Sequence, residues 1–152
     1  MSDYNIEPRN ITAIPKNIEI AFITADFNKE YTSEMEQVAE DYLHKNYFKN
    51  ISKFYVPGAF EIPAMLERIL KDKKFDLIYC FGVVIRWGTT HYDMVAWESA
   101  RGITDVSLKY KTPIINAILT CENQTQVEER INTNTTVSGL NLLSEVLKHN
   151  LW

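Results

Sequence analysis

Apolar runs of strand length alternate with amphipathic stretches along nearly the whole chain, and this alternation restricts the possible folds more than any other feature of the sequence. The first run, IEIAFIT, is almost continuously apolar, which is typical of a strand buried on both faces of a sheet. Strands are predicted over residues 18–24, 51–56, 75–81 with an extension toward Ile85, and 113–119. Because strands that alternate with helices are joined by right-handed crossovers, the pattern predicts a parallel sheet with helices on both faces.

The stretches between the strands carry apolar residues at helical spacing. After the first strand, Ser33 and Glu36 have the spacing of a capping box, which predicts a helix start there. Pro63 suits the first turn of a second helix. Further helices are predicted over residues 95–110, 122–131 and 138–148. The chain of 152 residues is therefore expected to form one α/β domain over residues 18–152.

Residues 1–17 precede the first strand and are predicted to form an extended N-terminal arm, because they include Pro8 and Pro15 and are largely polar. Within the arm, residues 11–14 are a candidate for a short strand that pairs elsewhere. The first 15 residues lack the apolar core of a secretory signal. We therefore expect the protein to be cytoplasmic.

Composition argues against several kinds of partner. A formal net charge of −4 gives no basic field to attract a nucleic acid, and no apolar run approaches the roughly 20 residues of a membrane-spanning helix. Cys80 and Cys121 have no nearby histidine partner, so we expect two reduced packing thiols and no metal site. Nucleic acid, membrane and metal are therefore not expected as partners.

The turn after the third strand is the strongest candidate site, because ligands of parallel sheets bind beyond the carboxyl ends of the strands. Gly88 allows the backbone to turn freely, and the N–H groups of Gly88, Thr89 and Thr90 would point at an anion where the next helix starts. His91 is placed to exchange a proton with such a ligand. The alternative is a capped helix whose histidine only packs. No Walker or dinucleotide glycine pattern is present, which argues against a nucleotide site.

A second candidate site follows the second strand at residues 57–61. Free N–H groups at this turn could hold a polar ligand, with Glu61 accepting hydroxyl donors. Phe27 ends the first strand and could stack on a flat ring. The alternatives are an ordinary turn and a core phenylalanine. Arg130, taken alone, is interpreted as a solvated surface charge.

Taken together, these segments resemble lumazine synthase over residues 18–147. The most specific blocks are VPGAFEIP at 56–63 and the stretch at 82–93 that contains GVVIR and TTHYD. Phe27-Asn28 and Glu129-Arg130 are similar to weaker markers of the family. The resemblance implies a flavodoxin-like three-layer α/β/α sandwich with a four-stranded parallel sheet. It also implies a transferase of riboflavin biosynthesis that condenses 5-amino-6-(ribitylamino)uracil with 3,4-dihydroxy-2-butanone 4-phosphate, without a metal or organic cofactor.

The resemblance also implies roles for individual residues. His91 would be the catalytic proton shuttle, with Asp93 a weaker candidate for orienting it because residues two apart on a helix do not face each other. Gly88 and Thr89 would bind the phosphate, and Arg130 would reach it from a neighbouring subunit. The implied pyrimidine-binding residues are Phe27, Ala59, Phe60, Glu61, Val83, Val84, Ile85 and Asn116.

The resemblance further implies a homo-oligomer with active sites between subunits, built as a pentamer, a decamer or an icosahedral shell. The N-terminal arm would add a strand to the sheet of a neighbour. Two departures from the family pattern stand out: Trp87 replaces a glycine, and Asn134 lies where a phosphate-side lysine is usual.

Three hypotheses follow. The first is an active lumazine synthase. The second is a catalytically silent relative that binds a flavin-like ring or only builds a shell, which the altered segment after Arg130 would support. The third is an unrelated phosphosugar enzyme that shares the sheet and the anion-binding turn.

Overall fold

Four parallel strands form a single sheet in the computed structural model, which describes residues 5–151. The strands are β1 (Ile20–Ala25), β2 (Ile51–Val56), β3 (Leu77–Ile85) and β4 (Ile114–Cys121). Their spatial order is β2-β1-β3-β4, which is the order of flavodoxin-like sheets without a fifth strand. All four predicted strands are therefore confirmed, with small differences at their ends. Residues 1–4 of the predicted arm and Trp152 of the predicted domain lie outside the described range.

Five α-helices cover the two faces of this sheet. They are α1 (Lys29–Lys45), α2 (Ile62–Asp72), α3 (His91–Tyr110), α4 (Gln124–Arg130) and α5 (Asn134–His149). One apolar core lies between the sheet and the helices α1, α4 and α5, and a second lies between the sheet and the helices α2 and α3. The expected three-layer α/β/α sandwich is therefore confirmed.

The two central strands are buried on both faces, as their apolar sequences predict. Every residue of β1 is buried, and so is every residue of β3 except Val84. On the α1 side, the Phe22 ring meets the rings of Tyr79 and Phe81 edge to face, with centroid distances of 5.9 and 5.1 Å. Aromatic packing of this kind stabilises the middle of the sheet and holds the carboxyl ends of β1 and β3 at fixed positions.

Gly139 allows helix α5 to approach this aromatic cluster closely. Tyr79 is completely buried, and its hydroxyl donates a 2.6 Å hydrogen bond to the carbonyl of Thr136 in the first turns of α5. A Cβ atom at Gly139 would overlap the Tyr79 ring and its hydroxyl. The helix can therefore keep this hydrogen bond only with glycine at position 139.

Gly139→Ala is expected to destabilise the protein by about 1–3 kcal/mol, because the added methyl group forces α5 or the Tyr79 ring to move. The free energy of unfolding in urea measures this change. Gly82→Ala is the matched control, since a Cβ there would lie at ordinary contact distance, 3.4 Å, from Ala59 and Ile118. Equal midpoints for the two variants would contradict the close approach at Gly139.

Two local predictions are wrong. Residues 11–14 do not form a strand: Ile11–Ala13 is a short 3-10 helix, because the amide of Ala13 donates to the carbonyl of Asn10 and the side chains of Ile11 and Ile14 turn into the core.

Ser33 and Glu36 do not start a helix, since α1 begins at Lys29. Glu36 is instead buried and accepts hydrogen bonds from Thr24 Oγ1 and the Tyr55 hydroxyl, at 2.8 and 2.9 Å.

The remaining part of the arm that the structure describes lies against α5 of the same chain. The side chain of Asn141 accepts a hydrogen bond from the amide of Arg9 at 2.7 Å and donates one to the carbonyl of Glu7 at 2.9 Å. The Asn134 side chain accepts from the amide of Ile6 at 3.0 Å. Strand addition to a neighbouring subunit stays a prediction.

Two further sequence predictions concern cysteines and membranes. Cys80 and Cys121 are both free thiols with buried side chains, as predicted. Burial raises the pKa of the Cys80 thiol above its ordinary value. Across residues 5–151, none of the helices combines the length and apolarity that a bilayer crossing requires.

Candidate active site

The unequal lengths of the two central strands open a cavity at the carboxyl edge of the sheet. The pairing of β1 with β3 ends at Thr24 and Phe81, whereas β3 continues to Ile85 alongside β4. The last residues of β3 therefore have no strand beside them on the β1 side. A cavity of about 380 Å³ lies at this edge, between the segments that follow β1, β2 and β3.

Most of the predicted site residues line this one cavity. They are Phe27, Ala59, Phe60, Glu61, Val83, Val84, Ile85, Thr89 and His91. They come from the end of β3 and from the segments that follow β1, β2 and β3, so the fold brings together residues that lie far apart in the sequence. Gly88 directly precedes the lining residue Thr89.

Phe27 is held at the cavity by its backbone. The amides of Asp26 and Phe27 donate to the carbonyls of Val56 and Pro57, at 2.7 and 2.9 Å, which ties the end of β1 to the end of β2. Asn28 has a left-handed backbone (φ 61°), and its side-chain amide donates a 2.9 Å hydrogen bond to the carbonyl of Val83. The Phe27 ring remains 66% exposed, so one face is available to stack on a flat ligand.

The segment after β2 supplies the opposite part of the lining. Ala59–Glu61 forms a single 3-10 turn in which the amide of Glu61 donates to the carbonyl of Gly58 at 3.1 Å. Ala59 is buried, whereas Phe60 and Glu61 are exposed. A carboxylate in this position can accept hydrogen bonds from hydroxyl groups of a ligand.

The turn before α3 leaves backbone donors unused. Gly88 has a φ of 80°, a conformation that glycine adopts without steric cost, and a Cβ there would meet no atom of the described residues within 4 Å. Thr90 precedes the helix and makes no side-chain capping bond. Within residues 5–151, the amides of Gly88 and Thr89 form no hydrogen bond, and the first amides of α3 have no helical partner. Such a turn at a helix start suits an anion such as phosphate.

Arg86 links the two flanks of this turn. Its guanidinium donates to both carboxylate oxygens of Asp93, at 3.2 and 3.4 Å, and to Glu122 at 3.1 Å. The same group lies 4.1 Å above the centre of the Tyr92 ring. The hydrogen bond to Asp93, followed in importance by the one to Glu122, raises the pKa of Arg86 above its ordinary value. The prediction that Asp93 orients His91 is therefore wrong, since the carboxylate of Asp93 points to Arg86.

Several lining residues were not predicted as site residues. They are Ala25, Pro57, Gly58, Trp87, Tyr92 and Val95. Trp87 is 70% exposed and lies beside the turn, and in the sequence it stands out only as a departure from the family pattern. Val95 follows His91 by four residues on α3, so helical spacing from His91 is the signal that could have found it.

Asn116 and Arg130 do not line the cavity of their own chain. Asn116 is exposed on the edge strand β4, where its side-chain oxygen accepts from the amide of Ile118 at 3.0 Å. Arg130 ends α4, is exposed, and donates to the carbonyl of Gln126 at 2.9 Å. Burial raises the pKa of the Cys121 thiol, and the nearby charge of Arg130 opposes that shift. A role for either residue in a neighbour's site stays a prediction.

Comparison with known proteins agrees with this architecture. The family model described as 6,7-dimethyl-8-ribityllumazine synthase matches residues 17–149. A 6,7-dimethyl-8-ribityllumazine synthase of Campylobacter hominis is 40% identical over 132 residues, covering 86% of this chain and 85% of the relative. One of Campylobacter concisus is 38% identical over 138 residues (90% and 88%), and one of Campylobacter jejuni 36% over 137 (89% of each). The chain therefore belongs to the 6,7-dimethyl-8-ribityllumazine synthase family, whose members are transferases of riboflavin biosynthesis.

Proposed function

We propose that the protein condenses 5-amino-6-(ribitylamino)uracil with 3,4-dihydroxy-2-butanone 4-phosphate and releases 6,7-dimethyl-8-ribityllumazine, phosphate and water. One observation carries the proposal: a single cavity is lined by the exposed ring of Phe27, by Thr89 of the turn that contains Gly88, and by His91. An aromatic ring can stack on a flat heterocycle, free amides can bind an anionic phosphate, and a histidine can move a proton. Family membership supports the same reaction.

In this proposal the pyrimidine lies between Phe27 and the end of β3 that is unpaired on the β1 side. Phe27 stacks on the ring, and the backbone groups of residues 83–85 bind its polar edge. Residues 59–61 hold the ribityl chain, with Glu61 accepting from hydroxyl groups. The unpaired stretch of β3 supports this arrangement, because a heterocycle can take the place of the missing strand.

The phosphate of the second substrate binds at the turn. The amides of Gly88 and Thr89 donate to its oxygens, and the positive end of α3 favours its charge. Trp87 forms an exposed aromatic wall beside the same turn. Because phosphate leaves during the reaction, the turn also stabilises the charge on the departing group.

His91 acts as the general acid and base. It lies in the cavity directly after the turn, so the imidazole can exchange protons with groups next to the bound phosphate. We infer that His91 assists phosphate loss and later the ring closure. Much of the remaining acceleration comes from holding the two substrates together, which removes an entropic barrier.

We infer that the working form is a homo-oligomer built from pentamers. Asn116 and Arg130 are exposed and do not line their own chain's cavity, which supports a site completed by a neighbouring subunit. Exposed apolar side chains such as Trp97 and Leu108 on α3 are suitable for an interface. The buried free thiols are consistent with the reducing cytoplasm as the working compartment.

Turnover tests this proposal directly. Purified, assembled protein supplied with both substrates is expected to produce a fluorescent lumazine and one phosphate per product. Omitting either substrate, or replacing the butanone phosphate by its dephosphorylated form, is expected to abolish the signal. Pyrimidine binding without any product would instead indicate a catalytically silent relative.

A further inference from the structure

The anion-binding turn has little packing of its own. Trp87, Gly88, Thr89 and Thr90 are all exposed, and a Cβ atom at Gly88 would meet no atom of residues 5–151 within 4 Å. The turn makes no capping hydrogen bond through Thr90. Its position, and that of His91 after it, must therefore be fixed by the residues on its two flanks.

Arg86 directly precedes the turn and contacts both the end of β4 and the first residues of α3. Its own amide donates to the carbonyl of Cys121 at 2.9 Å, which joins it to the end of the β3–β4 ladder. From this fixed base its guanidinium reaches across to Tyr92 and Asp93, which directly follow His91. The contacts of Arg86 thus close a loop over residues 87–91, which contains the turn and the histidine.

A second attachment fixes the direction of the guanidinium. Glu122 lies in the connection after β4, and its carboxylate accepts from Nε of Arg86 while the two terminal nitrogens bind Asp93. Three donors in the fixed fork of arginine are therefore used by two carboxylates, an arrangement that lysine cannot reproduce. Arg86 itself does not line the cavity.

We propose that Arg86 is a positioning residue, which holds the turn at residues 88–90 and His91 in the geometry required for the reaction through its contacts with Tyr92, Asp93 and Glu122. This inference rests on the proposed function. The cluster is partly exposed, with the side chains of Arg86 and Asp93 35% and 44% accessible. Exposed ion pairs contribute little to global stability, so the contribution of this cluster is geometric.

Arg86→Ala is expected to lower kcat by about tenfold, since a small misplacement of the reacting groups is costly, while the KM for the pyrimidine stays unchanged. Arg86→Lys is expected to restore part of the loss, because an ammonium can pair with one of the two carboxylates. Asp93→Ala is expected to lower kcat as well, and the double variant no further than Arg86→Ala alone, because both changes break the same contact.

Lys73→Ala is the matched control. Lys73 also combines an ion pair, with Glu19, and a ring contact, with Phe75, but it lies at the opposite edge of the sheet. Its kcat and its midpoint of thermal unfolding are expected to equal those of the wild type. The midpoint of Arg86→Ala is expected to differ little from both.

Hydrogen exchange supplies a measurement that does not depend on turnover. Amides of residues 94–98, which carry the first backbone hydrogen bonds at the start of α3, are expected to exchange faster in Arg86→Ala and Asp93→Ala than in Lys73→Ala. A wild type without turnover would disprove the proposed function and leave this test intact. Each of four results would overturn the positioning role. Two are unchanged exchange rates of these amides and a wild-type kcat in Arg86→Ala. The others are additive losses of kcat in the double variant and a raised KM at constant kcat in Arg86→Ala.

Discussion

His91→Ala is expected to lower kcat by about 10²–10⁴-fold, the usual contribution of one general acid–base group. The affinity for the pyrimidine is expected to stay close to that of the wild type, because Phe27, residues 59–61 and residues 83–85 surround that part of the cavity without help from the imidazole. Steady-state fluorescence assays give kcat, and equilibrium titration with the pyrimidine alone gives its affinity.

The control for this variant is His44→Ala. His44 is exposed in the last turn of α1 and does not line the cavity, so its removal changes the histidine content without touching the site. Its kcat is expected to equal that of the wild type. If His91→Ala turned over as fast as His44→Ala, proton transfer by His91 would have no part in the reaction.

The strands were the most predictable part of the fold, because apolar patterning reports burial directly. The apolar pattern does not show which backbone groups are hydrogen bonded to a neighbouring strand. The predicted strand ends therefore differ from the observed ones. The apolar pattern predicts a strand from Ile18, which is indeed buried, yet the strand begins at Ile20. The same reason explains residues 11–14, whose isoleucines are buried from a 3-10 turn instead of a strand.

The error at Ser33 and Glu36 has a different cause. A capping box is a local pattern, but the carboxylate of Glu36 is used by Thr24 on β1 and Tyr55 on β2, which only the folded sheet brings near. Helix α1 starts earlier, because Asn28 has a left-handed backbone conformation and ends the segment that joins β1 to the helix. Local signals fail where a distant partner satisfies the same side chain.

The candidate site also combines residues that the local sequence predicts with contacts that it does not predict. Residues within a continuous motif, such as Ala59 and His91, could be predicted because the motif and the strand-end rule point to one edge of the sheet. The contacts of Arg86 could not, since they depend on the distance from the end of β3 to the connection after β4. For that reason the sequence suggests His91, two residues before Asp93, as the partner of that carboxylate, although its partner is Arg86.

Arg130→Ala is expected to raise the KM for the butanone phosphate by about 10- to 100-fold, the effect of removing one charge-assisted hydrogen bond to a phosphate. The KM for the pyrimidine is expected to change little. Arg68→Ala is the control, since Arg68 is also an exposed helical arginine but lies in the second half of α2, which runs away from the carboxyl ends of the strands. Equal increases for both substrates would contradict a role at the phosphate.

Mixed oligomers then test whether Arg130 acts across a subunit boundary. In an assembly of His91→Ala and Arg130→Ala chains, some cavities combine an intact His91 from one chain with an intact Arg130 from its neighbour. With the butanone phosphate supplied well below the raised KM of the Arg130→Ala enzyme, activity above that of either parent assembly is therefore expected after the two are dissociated and reassembled together. If Arg130 served only its own chain's cavity, every cavity would keep one defect and mixing would restore nothing. The exposed position of Arg130, outside the cavity of its own chain, favours the first outcome.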